Sequence, residues 1–223
     1  MITTLMLSCG RWDLLAKSLE SYSKAMPEST RLIICDDSME KLGQAAALDE
    51  LVRQGLATDS EYFVMLEDDW VFDGDKSWFH GSKDILDKHP EIMIVGLSLS
   101  EQIRNYMGPI YYLQNVPIRK HEPWRLSENH GYWNGWISSP RLMRRKDLEI
   151  LPKFSGFAAE ETFDQVVWRP LYDSGRRSIW LNKQYVSHIG GGRSLFPTGD
   201  RLPVETRTWL KSHEERHFQA LES

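Results

Sequence analysis

Residues Glu61 to Trp70 read EYFVMLEDDW. A short apolar run, Phe63 to Leu66, empties directly into three consecutive carboxylates, Glu67, Asp68 and Asp69. The run has the length and composition of a buried strand. Like charges left unpaired and partly dry at its end repel one another, so something positive is expected beside them. A divalent cation with oxygen ligands answers that need, because hard cations take carboxylates and keep positions open for substrate phosphates. In open α/β sheets, ligands bind just beyond the carboxyl ends of the strands, which is where the triplet falls. A solvated turn after a core strand is the competing reading. The strand context and the partner residues found on either side weigh against it.

Upstream, Ile2 to Leu7 is a second apolar strand, broken by Ser8, Cys9 and Gly10. Trp12, Leu15, Leu19 and Tyr22 then recur at helical spacing as far as Pro27. Leu32 to Cys35 is another short strand, ending in Asp36, Asp37 and Ser38, and a helix is expected from about Glu40 to Leu56. Downstream of the acidic triplet, a helical stretch with Trp78, Phe79, Ile85 and Leu86 stops at Pro90, and Ile92 to Leu97 is a fourth strand. The first hundred or so residues thus alternate strand and helix, which predicts a parallel sheet with right-handed crossovers. No G-x-G-x-x-G follows the first strand, so a dinucleotide site of the usual kind is not expected.

Beyond Ser100 the pattern turns irregular. Pro109 to Asn115 and Tyr132 to Ser138 are candidate strands, and Ser139-Pro140 reads as the cap and first residue of a short helix to about Leu148. Ala158 to Tyr172 looks helical, Ile179 to Leu181 and Gln184 to Ser187 look like short strands, and His188 to Ser194, HIGGGRS, is a glycine loop. Thr206 to Leu221 suits a final amphipathic helix. The expected organisation is one domain over residues 1–223, with a nucleotide-binding half to about residue 100 and an acceptor-binding and catalytic half after it.

The totals set limits. A chain of 223 residues has ample core for one large domain. It is 41% hydrophobic and 26% charged, ordinary for a globular protein, and its net charge of −5 suggests neither a nucleic-acid partner nor an anionic membrane surface. No apolar run approaches a membrane span, and MITTLML lacks the basic flank and length of a signal peptide. Cys9 and Cys35 have no zinc-ligand spacing and read as small reduced residues of a cytoplasmic protein.

Three polar sets fall at strand ends in the first half: Ser8 to Arg11, Asp36-Asp37, and Glu67 to Asp69. In a parallel sheet all three share one edge. A carboxylate after the second strand can accept from a ribose or a base N–H, and a metal at the third can bridge a diphosphate. Asp-Asp-Ser is equally a good turn or helix cap. In the second half, Glu160, Glu161 and Asp164 open a helix, where the dipole alone would favour them. His188 can be a structural histidine or a metal ligand, and Arg193 can close over a phosphate. Trp124, Trp133 and Trp136 lie in polar surroundings, where indole rings either bind flat ligands such as sugars or simply pack.

Taken together, these residues resemble a nucleotide-sugar-dependent glycosyltransferase of the GT-A fold, close to the family 2 type. The opening strand with its polar turn and Arg11 resembles the family's first nucleotide-contacting loop. IICDDS resembles its base-binding segment, and LEDDW resembles the DxD motif in an E-D-D variant. GYWNGW (131–136), AEETFDQVVWRPLYDSG and SHIGGGRS resemble the acceptor-side segment, the helix that carries the catalytic base, and a late loop that contributes a metal histidine. The six pieces occur in the family's order over roughly residues 2–195.

The resemblance implies an α/β, Rossmann-like GT-A domain, with a mostly parallel central sheet flanked by helices and a smaller mixed sheet on the acceptor side. It implies metal binding (Mn2+ or Mg2+) by Asp69 and His188, with Asp68 and Glu67 on the ribose or a metal-bound water. Asp36 or Asp37 would hold the base, uridine by default, and Ser8, Arg11 and Arg193 would complete the nucleotide site. The general base would lie among Glu161, Asp164 and Glu160, with Glu161 favoured although the family usually has Asp there. The reaction implied is inverting transfer of a sugar from a nucleotide-sugar donor to a hydroxyl of a glycan-type acceptor, held by Trp124, Trp133 and Trp136. Two rivals remain at this stage. A sugar-phosphate nucleotidyltransferase would need a longer basic glycine loop after the first strand. A non-enzymatic carbohydrate-binding module would need neither Asp68-Asp69 nor His188.

Overall fold

A computed structural model describes residues 1–27, 30–40, 42–97, 124–126, 140–156, 175–181 and 183–191. The chain divides into two compact units, Met1–Gly190 and Gly191–Ser223, and all of the described residues except Gly191 belong to the first.

Most strands and helices of the first half arise where the periodicity places them. The elements of this half are β1 (Ile2–Ser8), α1 (Trp12–Ala25), β2 (Thr30–Asp36), α2 (Asp37–Glu40), α3 (Gln44–Leu56), β3 (Tyr62–Glu67), β4 (Trp70–Phe72), α4 (Ser77–Lys88) and β5 (Ile92–Gly96). Then come β6 (Trp124–Leu126), β7 (Arg141–Arg144), α5 (Arg145–Leu148), a 3-10 turn (Phe154–Gly156), β8 (Arg177–Leu181) and β9 (Val186–His188). The main sheet runs β2-β1-β3-β7-β5-β8-β6, and β4 pairs with β9 in a small antiparallel sheet. β1 is parallel to β2 and β3, and β8 is parallel to β5, while β7 and β6 run against their neighbours. Hence β2, β1, β3, β5 and β8 all point one way. The central sheet is mostly parallel and flanked by helices, as the sequence predicts.

Side chains alternate across a strand, and here both faces are covered. Met6, Val64 and Leu66 pack with Leu15 and Tyr22 of α1 and Trp78 of α4. Leu5, Leu7, Phe63 and Met65 pack on the opposite side with Leu48 and Leu51 of α3. This two-sided burial explains why the strands read as unbroken apolar runs.

Three expectations need adjusting. The helix proposed from Glu40 is two helices, parted where Gly43 adopts a φ of 84°, a left-handed conformation that side-chain-bearing residues avoid. The helix proposed from Pro140 begins only at Arg145, because Arg141–Arg144 is a strand. Its residues Leu142 and Met143 reach opposite cores, and it hydrogen-bonds β3 on one side and β5 on the other. A slot between two strands outweighs the local helix signal. Arg144, itself buried, donates to the carbonyls of Leu86, Pro90 and Ile92 and to Asp147, which ties β7 to the turn after α4. Finally, β4 and β6 were not anticipated at all. The candidate strands 109–115 and 132–138 and the helices proposed at 158–172 and 206–221 lie outside the described residues. Among the described residues, no helix is long and apolar enough to cross a membrane.

Leu142 is fully buried, so Leu142→Ala should destabilise the fold by about 3 kcal/mol, read from urea unfolding. A loss below about 1 kcal/mol would contradict a core strand at this position.

Candidate functional site

Parallel pairing fixes where the polar strand ends meet. In the β1–β2 register Ser8 stands opposite Asp36, and in the β1–β3 register Leu7 stands opposite Glu67. The three polar sets therefore gather at one edge. Directly after β3 the chain turns through Asp68 and Asp69 into β4, with Trp70 opposite His188 of β9. The Ile189 amide donates to the Asp69 carbonyl at 2.8 Å. A late segment of the chain is thus stitched to the acidic turn.

Asp68 is wholly buried and Asp69 is 3% exposed. Asp68 Oδ2 accepts from the Ser8 hydroxyl at 3.0 Å and the Cys9 amide at 3.4 Å, and the Asp68 amide donates to the Leu7 carbonyl at 2.9 Å. The Arg11 guanidinium spans both carboxylates: Nη2 donates to Asp68 Oδ1, and Nη1 to Asp69 Oδ2 at 2.6 Å. Burial opposes the charge on Arg11, but the two carboxylates outweigh it and raise its pKa. Burial would likewise raise the Asp69 carboxyl. Its hydrogen bonds and charge attraction to His188 and Arg11 win, and hold it below the usual carboxylate range.

His188 Nε2 lies 3.2 Å from Asp69 Oδ2, and its ring packs on Trp70 with centroids 5.0 Å apart. The bond to Asp69 raises the imidazole pKa against the opposing effect of burial. Gly190 presses on the same carboxylate. A Cβ there would stand 2.3 Å from Asp69 Oδ2 and 2.9 Å from its Cγ, so only glycine lets the backbone approach this closely.

Three solved structures share this architecture. A mannosyltransferase from Pyrobaculum calidifontis, in complex with GDP-Man and Mn2+, aligns with a TM-score of 0.60 at 13% identity, covering 86% of this chain and 58% of that one. Staphylococcus aureus TarS aligns with a TM-score of 0.52 at 13% identity, covering 83% and 59%. Glucosyl-3-phosphoglycerate synthase from Mycobacterium tuberculosis, with Mg2+ and uridine diphosphate, gives 0.50 at 13% identity, covering 84% and 71%. The fold is GT-A. At these identities the likeness speaks for architecture, and the chain spans 58–59% of the length of the first two GT-A structures. No family model matches the sequence, and no curated protein does either.

Within the GT-A frame, the residues beside Asp69 fit a divalent cation. Asp69 Oδ1 is buried and has no hydrogen-bond partner among the described residues, and a carboxylate with an adjacent imidazole is a suitable donor pair. Among the described residues no group of three or more His, Cys, Asp or Glu is arranged to hold a metal. A two-residue set suits an ion whose remaining positions go to water and substrate phosphates.

The other expected site residues divide into two groups. Glu67 accepts from Gln44 Nε2 at 2.9 Å, turned toward the start of α3. Asp36 accepts from the amides of Gly10 and Ser38, both at 3.1 Å, and from the Ser38 hydroxyl at 2.9 Å. Asp37 accepts from the amides of Leu42 and Gly43, at 2.5 and 2.9 Å. Asp36 thus makes the turn and cap bonds that Asp-Asp-Ser allows, while Asp37 holds the loop that leads into α3. For Trp124 the backbone lies in β6. Trp133, Trp136, Glu160, Glu161, Asp164 and Arg193 lie outside the described residues. Sequence reasoning missed Gln44, Ser38, Trp70 and Gly190. Ser38 and Trp70 carry a signal as members of the Asp-Asp-Ser and LEDDW segments, and Gly190 as part of the glycine tract.

The His188–Asp69 pair sets a pH dependence. A histidine whose folded pKa is raised lends stability that is fully present below its unfolded value of about 6.5 and is lost as pH rises through the folded value. An NMR titration of the His188 ring should give a midpoint above the ordinary histidine value of about 6.5, and Asp69→Asn should bring it down. An unshifted midpoint in the unaltered protein would show that the pair does not form.

Proposed function

We propose that this chain is a metal-dependent inverting glycosyltransferase, moving a sugar from a nucleoside-diphosphate sugar to a hydroxyl of a glycan-type acceptor. The observation that carries the reading is the buried Asp68-Asp69 turn. It sits at the carboxyl end of a parallel strand in a GT-A fold, with His188 brought against it by β9. The Pyrobaculum and Mycobacterium structures that share the fold were solved with GDP-Man and Mn2+ and with uridine diphosphate and Mg2+, which supports both a diphosphate donor and a divalent ion.

A cation held by Asp69 and His188 would stabilise negative charge on the departing diphosphate. The chain's own groups do the rest. The turn Ser8 to Arg11 and the strand end at Asp36-Asp37 border the nucleotide, with uridine the default base. A carboxylate among Glu160, Glu161 and Asp164, with Glu161 favoured, takes the proton from the acceptor hydroxyl as its oxygen attacks the anomeric carbon in line. In this reading Trp124, Trp133 and Trp136 are the candidates to stack on the acceptor sugar. Holding both sugars in register supplies much of the rate.

The test is calorimetry with UDP and GDP, with and without Mn2+, followed by turnover with a panel of UDP- and GDP-sugars. One diphosphate should bind in a Mn2+-dependent way. Loss of a partner outside a metal's own ligands already costs roughly 10- to 100-fold in affinity, so Asp69→Asn should cost at least about tenfold. No binding of either diphosphate under any condition would sink the proposal.

A further inference from the structure

The acidic pair already has a cation on it, and that cation belongs to the chain. Arg11 Nη1 lies 2.6 Å from Asp69 Oδ2 and Nη2 bonds Asp68. A divalent ion on Asp69 would share one carboxylate with this guanidinium, in a spot where Asp68, Asp69 and most of the Arg11 side chain are out of solvent. Two like charges that close and that dry exclude one another. Arg11 is also incompletely satisfied where it lies, because its Nε is buried with no hydrogen-bond partner among the described residues. A guanidinium's planar fork matches a phosphate as well as it matches a carboxylate, so a diphosphate offers it an equivalent home.

We propose that Arg11 is an exchangeable counter-ion of the Asp68-Asp69 pair, which excludes a divalent cation from Asp69 until a diphosphate draws the guanidinium away. The inference rests on the glycosyltransferase reading for the identity of the diphosphate. Charge balance sets the order of events. Adding a dication alone puts excess positive charge beside Arg11. Adding it together with the diphosphate of a nucleotide sugar, which carries two negative charges, leaves the net charge of the site unchanged, and free UDP or GDP, with about one negative charge more near neutral pH, more than offsets it, while Arg11 moves from carboxylate to phosphate. The cation and the donor therefore enter as a couple, and each strengthens the other's binding by the same factor.

Mn2+ binding is measured by the loss of its free paramagnetic resonance signal, without nucleotide and with saturating UDP or GDP. The unaltered protein should bind Mn2+ weakly alone and about tenfold or more tightly with the diphosphate. Arg11→Gln should bind Mn2+ alone about tenfold better than the unaltered protein, and the coupling to diphosphate should shrink toward unity. Arg11→Lys, which keeps the charge but cannot bridge two carboxylates, should fall between them. It decides the matter if melting shows that Arg11→Gln does not fold. Equal Mn2+ affinity in the unaltered protein and the variants would overturn the proposal. So would diphosphate binding that ignores Mn2+ yet collapses in Arg11→Gln, since Arg11 would then be the permanent cation of the site. The nucleotide-free arm decides Arg11's part even if neither diphosphate binds, an outcome that would count against the glycosyltransferase reading instead.

Discussion

Two adjacent carboxylates, both buried, impose the strictest condition in this molecule. Moving an ion out of water costs several kcal/mol even after the protein relaxes, and placing two of one sign together adds repulsion. The compensation around Asp68 and Asp69 comes from separate parts of the chain. The turn after β1 contributes Ser8, the Cys9 amide and Arg11, and β9 contributes His188. Remove the sheet that holds these segments together and the pair would have to protonate or return to water.

That condition accounts for much of the architecture. Parallel order in β2-β1-β3 brings strand ends, not strand middles, to one edge. Covering both sheet faces with helices helps to dry the strand end. The small β4–β9 sheet then carries the imidazole to the turn, and Gly190 lets the backbone close on Asp69 without a side chain in the way. Asp36 and Asp37 fix the neighbouring turn by taking amide hydrogens. The floor of the site is therefore held by hydrogen bonds within the chain.

How much of this the sequence disclosed follows from the range of the forces involved. Runs such as Phe63 to Leu66, and the helical spacing of Trp12, Leu15 and Tyr22, are local, and the elements built on them appear as expected. β4 and β6 are three residues each, too short for any periodicity, and they exist because partners elsewhere pair with them, whereas β9 overlaps the short strand expected at Gln184 to Ser187. Arg141–Arg144 was misread for the same reason, since its strand character comes from β3 and β5. At the site, Asp69 and His188 were legible as polar residues at the ends of elements, and the structure brings them together. Arg11 was legible only as a polar residue near a nucleotide, because its bridge to both aspartates is a fact of tertiary structure. The cap bond of Asp36 is one of two readings that the residues permit, whereas the bonds of Asp37 to Leu42 and Gly43 depend on how the loop before α3 folds back.

The small sheet also bears on how the protein comes into being. Trp70 and His188 pair across it although most of the chain lies between them. A chain emerging from a ribosome folds its amino-terminal part first, so β1, β2 and β3 can be in place while β9 is still unmade. During that interval Asp69 has Arg11 for company but no imidazole. The acidic turn is thus the last piece of the sheet edge to be finished, and contacts so distant in sequence form slowly. The nascent protein passes through a stage in which its framework is built while its most demanding charges are only half provided for.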